Sequence, residues 1–565
     1  MSTAILVMFV IVFIPNKIFA QHVVKTADEL IALLSEEKNM GTILLDGEIF
    51  SLAGVEAKAG GVVKPYPGRK PVIMGFRQTV KCGNRKIDEN GYWTAPIKGY
   101  GSTKIVFLDE NLEAIPYACH INGKDGFNIK ESDIKMVDEK NRIVGIPIQK
   151  GFEYLANNDK TFFKNFSIKL SYWFVGMELW DIYSDEYYIY GTVDNKYNFN
   201  LLKIRPYANV HIEFFNLPMA GDGIYLDGND VLHVPAKYNM VSVCTTPPIF
   251  RLTGDNDLMF IGITFTGANN HVIDIEGSNK HFENCIIRNC GKGLVAKGKL
   301  HNCSVKNCLI ENLYDNSAIA FSEIDGAVVE GNTIRHTGML MKGGSVVSVG
   351  GLNFKVHNNN ISDYSYNAIS AGLTREYRLG TVSGVIRGNV IDNAANYGDP
   401  DSQLDDGGAI YLLAHTDGVE VSDNIIRNIG YEKAWVHGIY LDDGAYNVTV
   451  RNNLVYNINS SSKAIYARYV KETEHSCMNN VFEGNICVGK CFFAGNQTGL
   501  GKKTLVKNNF TSEDFENTAD TYVYYEGNKK IDACIHNGNT VRIDKKCGLK
   551  KRKYSRDIRK IIMLK

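Results

Sequence analysis

From about residue 284 onward the chain keeps returning to one short unit, an asparagine followed two places later by an apolar residue. It occurs as Asn332-Thr333-Ile334, Asn359-Asn360-Ile361, Asn389-Val390-Ile391, Asn424-Ile425-Ile426, Asn453-Leu454-Val455 and Asn485-Ile486-Cys487. Ile287 and Ile310 extend the series upstream, with the asparagine one place earlier. The apolar anchors at 287, 310, 334, 361, 391, 426, 455 and 487 lie 23, 24, 27, 30, 35, 29 and 32 residues apart. A second β-like segment recurs inside each repeat, at Leu294, Ile319, Val346, Ile369, Ile410, Ile439 and Ile465. From each of these to the next anchor takes 16, 15, 15, 22, 16, 16 and 22 residues, so one path is traced again and again. A β-rich repeat of this period predicts a right-handed parallel β-helix, an all-β solenoid whose coils stack at about 4.8 Å. Asparagine suits its turns, because it tolerates left-handed backbone and can hydrogen-bond along the stack. The competing fold is an antiparallel β-sandwich with Asn-rich turns, which would not keep such a period.

The rest of the chain arranges itself around this repeat. Residues 1–20 read as a signal peptide: Ala4 to Ile14 are apolar throughout, too short to span a bilayer, and Ala20 offers a cleavage site. An exported protein, secreted or periplasmic, with no membrane span and no lipobox cysteine is expected. Residues 21–100 should hold the N-terminal cap and the first coils. The stretch 26–37 patterns as an amphipathic helix with Leu30, Leu33 and Leu34 on one face, suited to covering the open first coil. Residues 101–205 lose the period but keep strand-like alternation, which predicts an inserted β domain. Residues 206–510 form the main β-helix, and 511–565 a C-terminal segment with a basic tail (Lys550, Lys551, Arg552, Lys553, Arg556, Arg559, Lys560). With 62 basic and 62 acidic residues the net charge is zero, and no basic stripe precedes that tail, which argues against nucleic acid as a partner. Twelve cysteines could form disulfides in an exported chain, but Cys285 and Cys308 occupy equivalent places in successive repeats and should stack in a ladder. Cysteine spacing suggests no zinc site. No cofactor or metal is called for, and a monomer is expected.

Chemistry is sought where coils outgrow the common path. The largest swelling lies between Ile391 and Ile410 and ends in Asp405-Asp406-Gly407-Gly408-Ala409-Ile410-Tyr411. One coil later comes His437-Gly438-Ile439-Tyr440-Leu441-Asp442-Asp443-Gly444. Aligning Ile410, Ile439 and Ile465 puts Tyr411, Tyr440 and Tyr466 in one outward column. Two places further stand Leu413, Asp442 and Arg468, again outward. Asp406 enters the same face from the long loop. Carboxylates on neighbouring coils fall naturally about 5 to 9 Å apart, the spacing at which one protonates a leaving oxygen and the other attacks or activates water. Asp-Asp-Gly is also ordinary turn chemistry. Asp405, the three tyrosines, His415, His437, Arg468 and Glu323 complete the candidate substrate-binding set. Arg375, Glu376 and Arg378 are a further basic–acidic cluster, as easily a surface ion-pair group as a contact for an acidic sugar.

These residues resemble a known signature. Asp406-Gly407-Gly408-Ala409-Ile410-Tyr411, followed by Gly438-Ile439-Tyr440-Leu441-Asp442-Asp443-Gly444, is similar to the paired motif of parallel β-helix glycoside hydrolases, closest to glycoside hydrolase family 141, which contains pectin α-L-fucosidases and xylanases. Phe214-Phe215-Asn216, Gly221-Asp222-Gly223-Ile224-Tyr225-Leu226-Asp227 and Val231-Leu232-His233-Val234-Pro235 resemble that family's return from its inserted domain, with Gly223-Ile224 where the family has Glu-Trp. Leu112 to Asn122 resembles the opening of that domain. The resemblance implies a two-carboxylate hydrolase of polysaccharide, with Asp406 and either Asp442 or Asp443 as the catalytic pair. A polysaccharide lyase, served by Arg468, Lys463 and the acidic cluster as a calcium site, and a non-catalytic glycan-binding or adhesin β-helix remain the alternatives.

Overall fold

The computed structural model describes residues 20–97, 106–121, 133–150, 152–156, 162–164, 167–172, 175–204, 210–215, 223–244, 247–372, 382–394, 404, 406–413, 416–430, 435–442, 444–468, 477, 479–493, 504–517, 523–536, 540–547 and 562–564. Three long parallel sheets wind through them. Sheet 1 runs from Gln21–Val24 to Val523–Glu526, sheet 2 from Ile49–Ser51 to Lys529–Lys530, and sheet 3 from Val55–Ala57 to Phe515–Asn517. Each coil visits sheet 3, then sheet 1, then sheet 2, and its strands lie in register on those of the coil before. This is a parallel β-helix, right-handed as parallel crossovers are. It continues past residue 510, to Lys529–Lys530.

Every anchor of the repeat falls in one inward column of sheet 2, from Ile287↔Ile310 to Val455↔Cys487. The second segment forms an inward column of sheet 3, with one change. Val347, not Val346, is the partner of Ile319 and Ile369. Two successive residues point inward at this corner, and the first is small in neighbouring coils (Ala318, Ala368, Ala409). Here both are valine and both are buried, so the sequence did not separate them.

The asparagines divide their work between two positions. The residue before each repeat asparagine holds the left-handed turn: Gly331, Asn358, Gly388, Asp423, Asn452 and Gly484 all have φ between 55° and 67°. The repeat asparagine itself is buried and joins a ladder. Its Oδ1 accepts from both the backbone N–H and the Nδ2 of the asparagine one coil earlier, as Asn389 donates to Asn424 and Asn424 to Asn453. Cys285 and Cys308 continue the ladder upstream, as expected, and Cys308 N–H donates to Asn332 Oδ1 at 2.9 Å. The ten cysteines whose side chains are described are free thiols.

A helix caps the N-terminal end, and C-terminal strands cover one outward face near the other end. Helix Ala27–Leu34 carries a capping box of Thr26 and Glu29, and its Leu30 and Leu34 join the core of the β-helix. At the other end Ile531, Val541, Ile543 and Cys547 pack on Ile425, Leu454, Tyr456 and Ile486, covering outward apolar positions of sheet 2. The basic residues 550–560 lie outside the described residues. Among the described residues no helix is long and apolar enough to cross a membrane.

The inserted region is larger than the lost period suggested. Val55–Ala57 pairs directly with Phe250–Leu252, and Val72–Met74 with Thr264–Thr266, so residues 76–244 intervene between consecutive coils. The expected boundaries at 101 and 206 therefore move outward. The reason is a stem of antiparallel pairs, Phe76–Lys81 with Met240–Cys244 and Tyr92–Pro96 with Val231–Pro235, whose alternation looks like that of coil strands. Beyond the stem stands a seven-stranded antiparallel sheet, Cys119–Ile121 to Val210–Phe215, with its own apolar core. The two upstream segments quoted for the family resemblance meet here. Ala118 N–H donates to Ile224 O, and Ile224 N–H to Pro116 O. Gly223 is pressed on that backbone; an added Cβ would lie 2.1 Å from Ala118 N. A residue with a side chain has no room at this place.

Candidate active site

Three strands of sheet 3 build the site: Gly407–Leu412, Val436–Leu441 and Ile465–Ala467. Their register pairs Tyr411 with Tyr440 and Tyr440 with Tyr466. The tyrosine column is therefore present, with ring centroids 5.1 Å apart at each step. It extends to Phe492, at 5.3 Å from Tyr466, and Trp435 leans against it at 5.4 Å from Tyr466. Phe492 is discoverable by the same alignment carried one coil further, where Cys491 replaces the usual isoleucine. Trp435 sits in an irregular connection that alignment does not reach.

The tyrosines bind the two carboxylates. Tyr411 Oη donates to Asp442 Oδ2 at 2.7 Å, and Tyr440 Oη donates to Asp406 Oδ1 at 3.0 Å. Burial, reinforced by Asp442 and Asp406, pushes both phenols well above the usual tyrosine range, so both remain neutral donors. Burial, opposed by the Arg468 charge and helped by Asp442, brings Tyr466 up to about 12. Asp442 is buried, and its Oδ1 accepts from Arg468 Nη1 at 2.8 Å. Burial works against the Arg468 charge, but Asp442 outweighs it and holds the guanidinium above its ordinary value. Asp406 is half-buried at the mouth of the long connection.

The Asp406-Gly407-Gly408 sequence is dictated by what surrounds it. Asp406 is left-handed, at φ 64°. Its N–H donates to Trp435 O at 2.9 Å, and its C=O accepts from Tyr366 Oη at 2.8 Å. A Cβ on Gly407 would lie 2.6 Å from the Tyr366 ring, and one on Gly408 would lie 2.9 Å from Tyr440 Cβ.

His437 is buried among Trp435, Tyr440 and Tyr466. Burial, helped by Lys463, lowers its pKa to about 3, so the ring is neutral. Its Nδ1 accepts from Lys463 N–H at 3.0 Å, which places the proton on Nε2, an atom without a hydrogen-bond partner. Such a ring props the aromatic cluster. Glu323 is exposed at a turn three coils from Ile410, roughly 14 Å along the axis, and is not brought to the site. Asp405, Asp443, His415, Arg375, Glu376 and Arg378 lie outside the described residues. Among the described residues no group of three or more His, Cys, Asp or Glu could hold a metal ion.

Residues 248–399 match the family described as right handed beta helix region. No curated protein matches the sequence. Among solved structures the chain is similar to one described as a glycoside hydrolase, at 12% identity over 86% of this chain and 89% of that one, TM-score 0.49. It is similar to the complex of XylC with xylose, at 12% identity over 92% and 88%, TM-score 0.47. It is also similar to a PL6 alginate lyase in complex with a trisaccharide, at 11% identity over 52% and 83%, TM-score 0.33.

Proposed function

We propose that this protein is an exported glycoside hydrolase that cleaves glycosidic bonds of a polysaccharide with Asp406 and Asp442, as the resemblance to family 141 implies. The observation that carries the reading is the register-paired Tyr411 and Tyr440, each donating to one carboxylate. Two acids on adjacent coils are thereby held on one outward face by neutral donors. The pair is not symmetric. Asp442 is buried against the Arg468 cation, which suits it to the role that uses negative charge, as nucleophile or base. Asp406, half-buried and facing a phenol, is then the group that protonates the leaving oxygen. The half-buried faces of Tyr466, Phe492 and Trp435 offer aromatic surface for the apolar face of a sugar. The inserted region packs on the same edge of the β-helix, where Arg288 pairs with Glu113 at 2.8 Å and Asn289 Nδ2 donates to Leu112 O, and would wall the groove.

A lyase would need a base near neutral pKa. The ion pair of Arg468 with Asp442 at 2.8 Å favours its charged form, which argues against Arg468 in that role. The deciding experiment incubates the protein with a panel of plant and microbial polysaccharides and analyses the products. New reducing ends without an unsaturated chromophore support the hydrolase. An unsaturated uronate product assigns a lyase, and saturable binding without turnover assigns a glycan-binding protein.

A further inference from the structure

We propose that Tyr366 is a positioning residue for Asp406: its hydroxyl, one coil earlier, holds the Asp406 carbonyl so that the backbone stays left-handed and the carboxylate faces Tyr440. The inference rests on the reading of Asp406 as a catalytic acid.

Asp406 closes the longest sheet 2 to sheet 3 connection of the repeats after residue 284, immediately before the strand Gly407–Leu412. Its conformation is one an L-residue with a side chain rarely adopts. Three hydrogen bonds over-determine it, from its N–H to Trp435 O, to its C=O from Tyr366, and to its carboxylate from Tyr440. Of these three partners Tyr366 lies on the preceding coil, so its bond draws the turn against the direction in which Trp435 and Tyr440 hold it. Tyr366 is itself immobilised. It is buried, its ring lies against Gly407, and Asn367 beside it accepts from Gly408 N–H at 2.9 Å. Asn316 fixes both flanks, accepting from Ser365 N–H and donating to Asn367 O, and it is tied in turn to Thr337 Oγ1 and Gly344 O. A buried polar pin across three coils thus ends in one hydroxyl aimed at the Asp406 carbonyl.

Tyr366→Phe tests this, because it keeps the ring over Gly407 and removes only the hydroxyl. A crystal structure of the variant should show Asp406 out of the left-handed region or its carboxylate away from Tyr440. On a substrate found by the polysaccharide panel, kcat should fall about tenfold or more with KM within about twofold and the melting temperature little changed. A variant structure in which Asp406 keeps its φ and its Tyr440 contact overturns the proposal, as does an unchanged kcat when Asp406→Asn is inactive. Should Asp406→Asn keep full turnover, the two-carboxylate reading fails, and the variant structure alone then decides whether Tyr366 positions this residue. If Tyr366→Phe does not fold, Gly407→Ala pushes the same ring aside and leaves the hydroxyl chemically intact. The same displacement of Asp406 is expected, and its absence overturns the proposal.

Discussion

Replacing Asn424 by alanine should unfold the β-helix far more readily than its modest change in volume suggests. The side chain makes four hydrogen bonds inside the ladder. Its Oδ1 accepts from Asn389 N–H and Asn389 Nδ2, and its Nδ2 donates to Ile386 O and Asn453 Oδ1. Alanine removes all four. The buried Asn389 N–H then has no acceptor, while Asn389 Nδ2 keeps Val356 O and Asn453 Oδ1 keeps Asn424 N–H. An orphaned buried donor costs about 1–3 kcal/mol, and each further net loss about 0.5–1.5 kcal/mol, which sums to about 3 to 7 kcal/mol. Because coils contact only their neighbours, the loss should show first around residues 386–455. Urea denaturation followed by circular dichroism gives the total, and hydrogen exchange locates it. A loss below about 1 kcal/mol, or one spread evenly over the chain, would refute the reasoning, since it would mean water replaces the ladder at no cost.

Three further outcomes are expected. Asp406→Asn and Asp442→Asn should each lower turnover at least about 10²-fold on the substrate that the panel identifies, read by product formation, and full turnover in both would remove the mechanism. His437 has a folded pKa of about 3 against an ordinary 6.5, so the unfolded chain binds the extra proton and stability is lost as pH falls below about 6.5. By pH 5 this amounts to about 2 kcal/mol, and His437→Gln, which keeps an acceptor for Lys463 N–H, should lose that much less between pH 7 and pH 5 in urea titrations. Gly223→Ala should loosen the inserted region, because its Cβ would meet Tyr117 and Ala118 backbone at 2.1 Å. Limited proteolysis should then cut within residues 76–244 while the remaining coils stay protected, and an unaltered digestion pattern would contradict the packing.

Much of this architecture is legible in the chain, and the parts that are not share a cause. The anchors, the tyrosine column and the outward parity of Asp442 follow from counting, because each inward residue of a coil must sit on the one before it. Counting fails where a connection is free of the stack. It therefore missed Trp435 and Tyr366, which reach Asp406 from irregular segments, and it placed His437 among substrate contacts although the aromatic cluster buries it. It also misplaced the edges of the insertion, whose stem strands alternate as coil strands do.

The constant and variable stretches of the repeat have a common physical origin. The turn from sheet 1 to sheet 2 is closed by a left-handed residue and a ladder asparagine in coil after coil, and a longer turn there would break two rows of buried hydrogen bonds. The passage from sheet 3 through sheet 1 to sheet 2 keeps its 15 or 16 residues in most coils for this reason. The connection from sheet 2 to sheet 3 bears no such ladder and carries the largest growth, while the two passages of 22 residues gain theirs between sheets 3 and 1. The stretch ending in Asp406 and the one carrying Trp435 are both of this kind. So is the whole insertion, which leaves after Val72–Met74 of sheet 2 and returns at Phe250–Leu252 of sheet 3. Its contacts with the β-helix fall at Asn269, on such a connection, and at Asn289 and Tyr314, near the ends of the sheet 2 strands that lead into the next ones. The ladder thus forbids growth at one edge of the solenoid, between sheets 1 and 2, and leaves the other two free, and the connections that carry Asp406 and Trp435 belong to the edge from which the insertion also departs.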